Sequence, residues 1–300
     1  MKIYSECFEC LTRMSLRTLR YSGAGKKVER DIMQRVLRFM GEASEDSLPV
    51  DVVAILMDEI RAQTGVDDPY ETLKQISTRD ALKLYPRMKE FVAASKDPFK
   101  TALHIAALGN AIDFGVSNTF DLEEVLDDGL EQSLYAPEID ELRSEIEQSP
   151  WMLMMGDNAG ETVFDRVLIE TIHSEIGSIP IKYAVKSNGG LNDAMKKDAV
   201  QAGLDQCTEI VETGDGIAGI ILRRASDQFR TLFISAPMIL SKGVGNYEGL
   251  SGNALNTRIY YLFKVKCVSM VHELGIDIGT MVLWPHSKDK IVFKSPLVLR

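Results

Sequence analysis

The chain has 300 residues, of which 45% are hydrophobic, and this is enough apolar material for two folded domains or one large one. The formal net charge of -10 argues against a general nucleic-acid-binding protein, because phosphate backbones are bound by clusters of lysine and arginine. Without a bilayer-length apolar stretch or the apolar centre of a signal peptide, the chain is expected to be cytoplasmic and to bind no membrane.

The first half of the chain is expected to be helical throughout, and we assign residues 1–148 to an all-helical domain. Apolar residues recur there at the three- and four-residue spacing of an amphipathic helix, and no stretch has the alternation of a strand. The main predicted helices cover residues 26–40, 51–64 and 98–114, and residues 69–94 are expected to hold one or two helices. Short acidic helices are predicted over 122–130 and 138–148.

The composition changes at Pro150, and we assign residues 149–300 to an α/β domain. Apolar strand-like runs alternate there with helical patterns, which predicts βαβ units, a mostly parallel sheet and a three-layer α/β architecture. The predicted strands cover residues 151–155, 179–185, 209–212, 238–241, 259–265 and 280–283.

Polar residues and glycines follow four of these strands, at the place where open α/β sheets bind ligands. They are Asp157 and Asn158, Asn192 and Asp193, the glycine-rich turn at Gly214, and Lys242 with Asn246. Carboxylate and carboxamide oxygens suit Mg²⁺ or Mn²⁺, and a lysine neutralises phosphoryl charge. The convergence therefore predicts a site for a metal ion and a phosphoryl group.

Each of these residues also has a purely structural explanation. Asp157 and Asn158, like Asn192 and Asp193, are common helix-capping residues. The turn at Gly214 is no P-loop, since the glycine–lysine pattern of that motif is absent, and it is explained as an ordinary turn. Lys242 is equally compatible with a solvated surface position.

An unusual polar pair lies in the most apolar predicted helix. Asn110 and Asp113 are three residues apart, so they share a helix face. Gly109 precedes them, and a glycine inside a helix costs about 1 kcal/mol relative to alanine, which indicates a close approach by another element. The pair either contacts a substrate or forms a structural hydrogen-bond network between the two domains.

Cys7 and Cys10 form a CxxC motif near the start of the chain. It is compatible with a redox pair, half of a metal site or two core cysteines, and Cys207 and Cys267 are candidate spatial partners. The surroundings look helical, unlike the βα junction of thioredoxin-like proteins, which favours a structural or redox-sensitive role over a catalytic one. The four histidines have no metal-ligand spacing.

Taken together, several of these motifs resemble the damage-control phosphatase family, also described as acidic-residue-methyltransferase-like. The resemblance is carried in order along the chain by ALGNAIDFGV, GDNAGETVFDRVLIE, the Asn192-Asp193-Ala194 segment and SKGVGNYEGLS. The CxxC motif resembles the subgroup found in archaea and some bacteria. The chain departs from the family in residues 187–191 and 215–219, which lack the usual proline.

This resemblance implies a helical domain, an α/β domain and a divalent metal (Mn, Ni, Co or Mg) between them. It implies hydrolysis of phosphate monoesters. It carries the family's metal ligands over to Asp157, Asn158 and Asp193, and its phosphate-contacting lysine over to Lys242. No glycine pattern for an adenosylmethionine cofactor is present.

We therefore expect a metal-dependent phosphatase that acts on a small phosphorylated metabolite, such as a sugar phosphate or a damaged nucleotide. Asp157 and Lys242 are the expected catalytic residues, with either a water molecule or Asp157 as nucleophile. The alternatives are a non-catalytic sensor of phosphometabolites, a carboxylate methyltransferase and a CxxC redox protein. The expected substrate contacts are Asn110, Asp113, Asn192, Gly214, Lys242 and Asn246.

Overall fold

The computed structural model describes residues 1–44, 46–110, 122–252 and 257–286. In these ranges no helix combines the length and the apolar character needed to cross a membrane. The helices before residue 149 are α1 (Ser5–Tyr21), α2 (Lys26–Gly41), α3 (Pro49–Thr64), α4 (Glu71–Ala94), α5 (Pro98–Gly109), α6 (Leu122–Glu131) and α7 (Ile139–Gln148).

One strand lies in the part of the chain that was expected to hold none. Strand β1 (Leu134–Tyr135) pairs in parallel with Met281 and Val282 near the end of the described chain. That part of the prediction was wrong, because two residues are too few to show the alternating pattern of a strand.

The second half alternates strands and helices, which confirms the α/β prediction. Its elements are β2 (Met152–Met155), α8 (Glu161–Glu175), β3 (Ile181–Val185), α9 (Lys196–Gln201), β4 (Glu209–Glu212), α10 (Asp227–Ser235), β5 (Met238–Lys242), α11 (Val244–Leu250), β6 (Arg258–Lys264), α12 (Val268–Leu274) and β7 (Met281–Pro285).

The described strands form one sheet in the order β1-β7-β6-β5-β2-β3-β4. All neighbouring strands are parallel except β6 and β7, which are antiparallel. The chain runs from β2 to β3 on one side and returns later to place β5 on the other side of β2. The loops that follow β2 and β5 therefore diverge, which makes a crevice at the carboxyl ends of these strands.

Alternating side chains of the strands enter two different cores, as the period of a strand requires. In β2, Met152 and Met154 pack with helices α4, α5 and α8 on one face. Leu153 and Met155 pack on the opposite face, with α10, α11 and α12. The sheet is thus buried on both sides, and the three-layer α/β architecture is confirmed.

Helix α5 connects the helical half to the sheet. It begins with Pro98 after Asp97, whose side chain caps the helix by accepting a hydrogen bond from the Lys100 amide at 3.0 Å. Its apolar residues share one hydrophobic core with α8 and the sheet. The division at residues 148 and 149 stays a prediction, because α4 and α5 pack into the core of the α/β part. Helices α1 to α3 form a separate apolar cluster.

Candidate active site

The loops after β2 and β3 are joined backbone to backbone. Asn158 and Asp193 form an isolated β-bridge, the Ala194 amide donates to the Asp157 carbonyl at 2.7 Å, and the Ala159 amide donates to the Asn192 carbonyl at 2.9 Å. The two Asx pairs that the sequence predicted to converge therefore lie side by side.

Asp157 presents a buried carboxylate at this junction. Its Oδ2 accepts hydrogen bonds from Asn110 Nδ2 at 2.7 Å and from Asn158 Nδ2 at 2.9 Å. Burial, together with repulsion from the carboxylates of Asp193 and Glu161, raises the pKa of Asp157 well above its usual range. Asn110 thus contacts Asp157 from the end of α5, and its expected contact with a substrate stays a prediction.

Asp193 is held from the opposite side. Its Oδ2 accepts a hydrogen bond from the Gly219 amide at 3.0 Å and lies 3.5 Å from the ammonium group of Lys186. Burial raises the pKa of Asp193 to about 6, although the charge of Lys186 and the Gly219 amide act in the opposite direction. The held oxygen fixes the carboxylate and leaves Oδ1 available to a ligand.

More carboxyl groups than ammonium groups are buried around these two residues. The cluster contains four carboxyl groups and two ammonium groups, and its members are Asp157, Glu161, Asp165, Asp193, Lys186 and Lys242, each at most 8% exposed. Because isolated buried charges are costly, burial raises the pKa of Asp157, Asp165 and Asp193. A divalent cation bound here would compensate the two carboxylates that the ammonium groups do not.

Within the described ranges, no three His, Cys, Asp or Glu side chains are grouped as a metal site. The candidate set has two carboxylates, Asp157 and Asp193, and its third donor is the carboxamide of Asn158. Oxygen donors of this kind fit Mg²⁺ or Mn²⁺ better than a thiophilic ion.

Two glycines allow the elements around the site to approach closely. A Cβ atom on Gly109 would lie 2.8 Å from Phe164 Cγ of helix α8. This confirms that Gly109 marks a close approach. At the other side of the site, a Cβ atom on Gly243 would overlap the carboxylate of Asp157, and φ at Gly243 is +79°.

Lys242 occupies a different position from the expected phosphate contact. Its side chain is fully buried, and its ammonium group donates to the Ala106 carbonyl at 3.0 Å, to Glu161 Oε1 at 2.7 Å and to Asp165. Burial disfavours the charge of Lys242, but the two carboxylates outweigh it and raise its pKa. A phosphoryl group could bind this ammonium group only after these contacts had broken. In this structure Lys242 therefore stabilises the buried carboxylates of Glu161 and Asp165.

An open cleft of about 750 Å³ leads to the carboxylates. Its polar lining includes Asn110, Asp157, Asn158, Asn192 and Asp193. Helices α1 and α3 supply apolar wall residues such as Leu11, Met14 and Val53. The end of β6 supplies Lys264, and the segment after it supplies Lys266. The cleft is large enough for a metabolite-sized ligand.

The structure brings two lysines to the cleft that the sequence analysis did not select. Lys264 is half-buried and Lys266 is exposed, and no ion pair is found for either within the described part of the chain. Lys266 and Asp157 line the same cleft, and the charge of Lys266 opposes the larger effect of burial, which raises the pKa of Asp157. Lys264 is the last residue of β6, a strand parallel to β5, and Lys266 follows it, and this position was the signal that could have found them.

Of the other residues that were expected to contact the substrate, one lines the cleft, two lie outside it and one is not described. Asn192 is exposed and lines the cleft, as expected. Asn246 is fully buried outside the cleft, and its Nδ2 donates to the Gly156 and Lys242 carbonyls at 3.1 and 2.7 Å. Gly214 is exposed in a turn packed against Ser226, away from the cleft. Asp113 lies outside the described residues.

The CxxC cysteines line the same cleft, together with Cys267. All four cysteines of the chain are free thiols, and Cys207 is elsewhere. Burial raises the pKa of both Cys10 and Cys267 above that of an ordinary thiol, so both stay protonated at neutral pH. Their positions agree with the expectation that Cys267 is a spatial partner of the motif.

The loop that carries Asn192 and Asp193 contains a strained residue. Leu191 has φ of +49° and is the one non-glycine residue in the described chain with a positive φ. This conformation costs roughly 1 kcal/mol or more outside glycine and persists where surrounding contacts enforce it. Such residues concentrate at functional sites.

Comparisons with known proteins identify the family of this chain. The family profile described as damage-control phosphatase ARMT1-like domain matches residues 3–282. The damage-control phosphatase PH1575 of Pyrococcus horikoshii is 32% identical over 284 residues, which cover 94% of this chain and 97% of that protein. A damage-control phosphatase of Archaeoglobus fulgidus is 33% identical over 226 residues, which cover 73% of this chain and 76% of that protein.

A solved structure shares the fold. The crystal structure of PH1575 from Pyrococcus horikoshii, described as a DUF89 family protein, aligns with a TM-score of 0.86 at 30% identity. The alignment covers 96% of this chain and 100% of that chain. The chain therefore belongs to the damage-control phosphatase ARMT1-like family, as its motifs predicted.

Proposed function

We propose that the protein is a metal-dependent phosphatase that hydrolyses small phosphate monoesters. Relatives named damage-control phosphatases support the phosphatase role. The observation that carries the metal dependence is the pair of buried carboxyl groups, Asp157 and Asp193, in a cluster that has two more carboxyl groups than ammonium groups and in which the pKa of Asp157 is raised. A site of this charge is suited to a divalent cation and a phosphoryl group together.

The residues present fit such an ion. The Oδ2 atoms of Asp157 and Asp193 accept hydrogen bonds from the protein, and among the described residues no hydrogen bond to either Oδ1 is found, so we assign the two Oδ1 atoms as donors to the ion. The side-chain amide of Asn158 donates to Asp157 and Glu161, and its oxygen is the third donor. A bound Mn, Ni, Co or Mg ion would supply Lewis acidity at a phosphoryl oxygen.

The cleft also provides polar and positively charged groups that would bind the phosphoryl group. Lys266 and Lys264 place positive charge beside the carboxylates, where the equatorial oxygens of a phosphoryl group need compensation. Asn192 presents an exposed carboxamide to the same space. We assign the phosphate-facing role to Lys266 first, because its charge already acts on Asp157.

Water is the nucleophile that this arrangement favours. Asp157 Oδ2 accepts two hydrogen bonds, and its Oδ1 is assigned to the cation, so neither oxygen is free to attack phosphorus. A water molecule in the open cleft would attack phosphorus instead. As the new oxygen–phosphorus bond forms and the bond to the alcohol breaks, the proton of that water passes through cleft water to the departing alcohol oxygen.

Phosphate release from an aryl phosphate tests the proposal after chelation, with Mg²⁺, Mn²⁺, Co²⁺ and Ni²⁺ added back singly. We expect activity to return with at least one metal and to be absent in Asp157→Ala, while the variant stays folded by circular dichroism. Full activity in the chelated protein, or in Asp157→Ala, would exclude this mechanism.

A metal-dependent sensor of phosphometabolites is the second candidate. Asn110 and Asn158 hold the Asp157 carboxylate tightly, which is also what a binding site without turnover requires. Metal-dependent binding of a sugar phosphate, with no phosphate released from a panel of esters, would favour the sensor.

A further inference from the structure

A second buried ion cluster lies behind the loop that carries Asn192 and Asp193. Lys74 of helix α4 is 1% exposed. Its ammonium group lies 2.6 Å from Asp68 Oδ2 and 3.7 Å from Asp198 Oδ2, and it donates to the backbone carbonyl of Asp193 at 3.4 Å. One lysine of the helical half therefore reaches the main chain of a proposed metal ligand.

The same loop is held at a second point. Arg61 of α3 donates from Nη2 to the Gly216 carbonyl at 2.7 Å and also to the Gly189 carbonyl. A Cβ atom on Gly189 would lie 2.5 Å from Asp68 Cα, so the loop and the start of α4 are in direct contact. Leu191, with φ of +49°, lies between these two points of attachment.

Stability alone does not account for Lys74. A buried ion pair is often replaced by apolar residues with little or no loss of stability. The lysine provides a fixed contact with the Asp193 carbonyl. This contact holds the backbone two residues after the strained Leu191. A ligand carboxylate whose backbone can relax loses its orientation, and loss of such supporting contacts typically weakens metal binding about 10- to 100-fold.

We propose that Lys74 is a positioning residue that sets the Asp193 carboxylate for the divalent cation. The role rests on the metal site of the proposed function and adds a contribution from the helical half to it. Lys74 does not line the cleft, so it acts through Asp193 and touches neither substrate nor metal.

Mn²⁺ binding measured by titration calorimetry on the chelated full-length protein tests this role. We expect Lys74→Met to bind Mn²⁺ about 10- to 100-fold more weakly than the wild type. Lys197→Met is the matched control, because Lys197 lies 3.7 Å from the same Asp68 but is 43% exposed and does not contact the Asp193 carbonyl. This control should bind Mn²⁺ like the wild type.

A charge-neutral triple variant, Lys74→Met with Asp68→Asn and Asp198→Asn, separates positioning from folding. It leaves no buried charge unpaired, so it should be more stable than Lys74→Met alone, yet its Mn²⁺ affinity should stay low. Wild-type affinity in the folded triple variant would overturn the positioning role. Failure of the wild type itself to bind Mn²⁺ would instead overturn the metal site, so the two failures are distinguishable.

Discussion

The backbone of Gly243 lies directly against the carboxylate of Asp157. A Cβ atom at residue 243 would overlap that carboxylate, and φ at this glycine is +79°, a region that other residues rarely adopt. The end of β5 is therefore packed onto the loop after β2, and the crevice between the two strands closes on one side. Any side chain at residue 243 would displace a proposed metal ligand.

We expect Gly243→Ala to lose most of its Mn²⁺ affinity and phosphatase activity. The added methyl group forces either Asp157 or the β5–α11 connection to move. Steady-state kinetics and Mn²⁺ titration on the same preparation measure the effect.

Gly65→Ala is the control for backbone strain alone. Gly65 has φ of +72°, and its Cβ position is open, with no heavy atom within 4 Å. It should lose about 1 kcal/mol of stability and keep its activity. Equal losses of activity in the two variants would mean that the contact with Asp157 is irrelevant to function.

Lys242→Met should destabilise the protein by about 3–5 kcal/mol, because it leaves Glu161 and Asp165 without their buried cation. Chemical denaturation measures the change. Lys83→Met is the control: that lysine is 63% exposed and pairs with Asp80 on the surface, where an ion pair contributes at most about 1 kcal/mol. A Lys242→Met variant that is as stable as the wild type but has no activity would instead support the expected contact of Lys242 with the phosphate.

The same variant should show a characteristic pH dependence. Burial raises the pKa of Asp165 to about 6 even beside the ammonium of Lys242, and loss of that ammonium raises it further. A carboxyl group with a raised folded pKa contributes stability at low pH that is lost as pH rises through that pKa. The stability deficit of Lys242→Met should therefore be larger at about pH 7.5 than at about pH 5. A stability deficit that is larger at about pH 5 than at about pH 7.5 would contradict this prediction.

Lys266→Met should reduce kcat/KM by roughly 10- to 100-fold, if this lysine compensates phosphoryl charge. Its Mn²⁺ affinity should not fall, because the ammonium repels a cation beside Asp157 and its removal eliminates that repulsion. Lys96→Met, on the exposed segment after α4, is the control. Weaker Mn²⁺ binding by Lys266→Met would argue against a phosphate-facing role.

The layers and the main loops of the site could be predicted from sequence because both depend on local patterns. The continuous apolar run at residues 151–155 indicated a buried strand, and the strand-end rule brought Asp157 beside Asp193. Strand β1 could not be predicted, because its two residues have no pattern of their own and depend on β7.

The role of Lys242 could not be predicted from its neighbours in sequence, because its partners lie on another element. Glu161 and Asp165 lie one turn apart on α8 and point at the lysine from across the site. Two acidic residues inside an otherwise buried helix indicated that a cationic side chain would form ion pairs with them. Lys74 is a similar case, since its contact with Asp193 spans 119 residues of sequence.

The double variant Cys7→Ser with Cys10→Ser should keep phosphatase activity within a few-fold of the wild type. Cys7 Sγ already faces Ser269 Oγ at 3.5 Å and the Tyr4 amide at 3.4 Å, so a serine hydroxyl has partners there. The raised pKa of Cys10 also argues against a reactive thiolate. Complete loss of function in a folded double variant would favour the CxxC redox protein instead.

The most direct test of the metal site is anomalous diffraction from crystals of chelated protein soaked in Mn²⁺. The predicted result is a manganese peak in contact with Asp157, Asn158 and Asp193, which disappears in Asp193→Asn. A peak elsewhere, or none at a Mn²⁺ concentration that supports phosphate release, would show that the buried carboxylates serve another purpose.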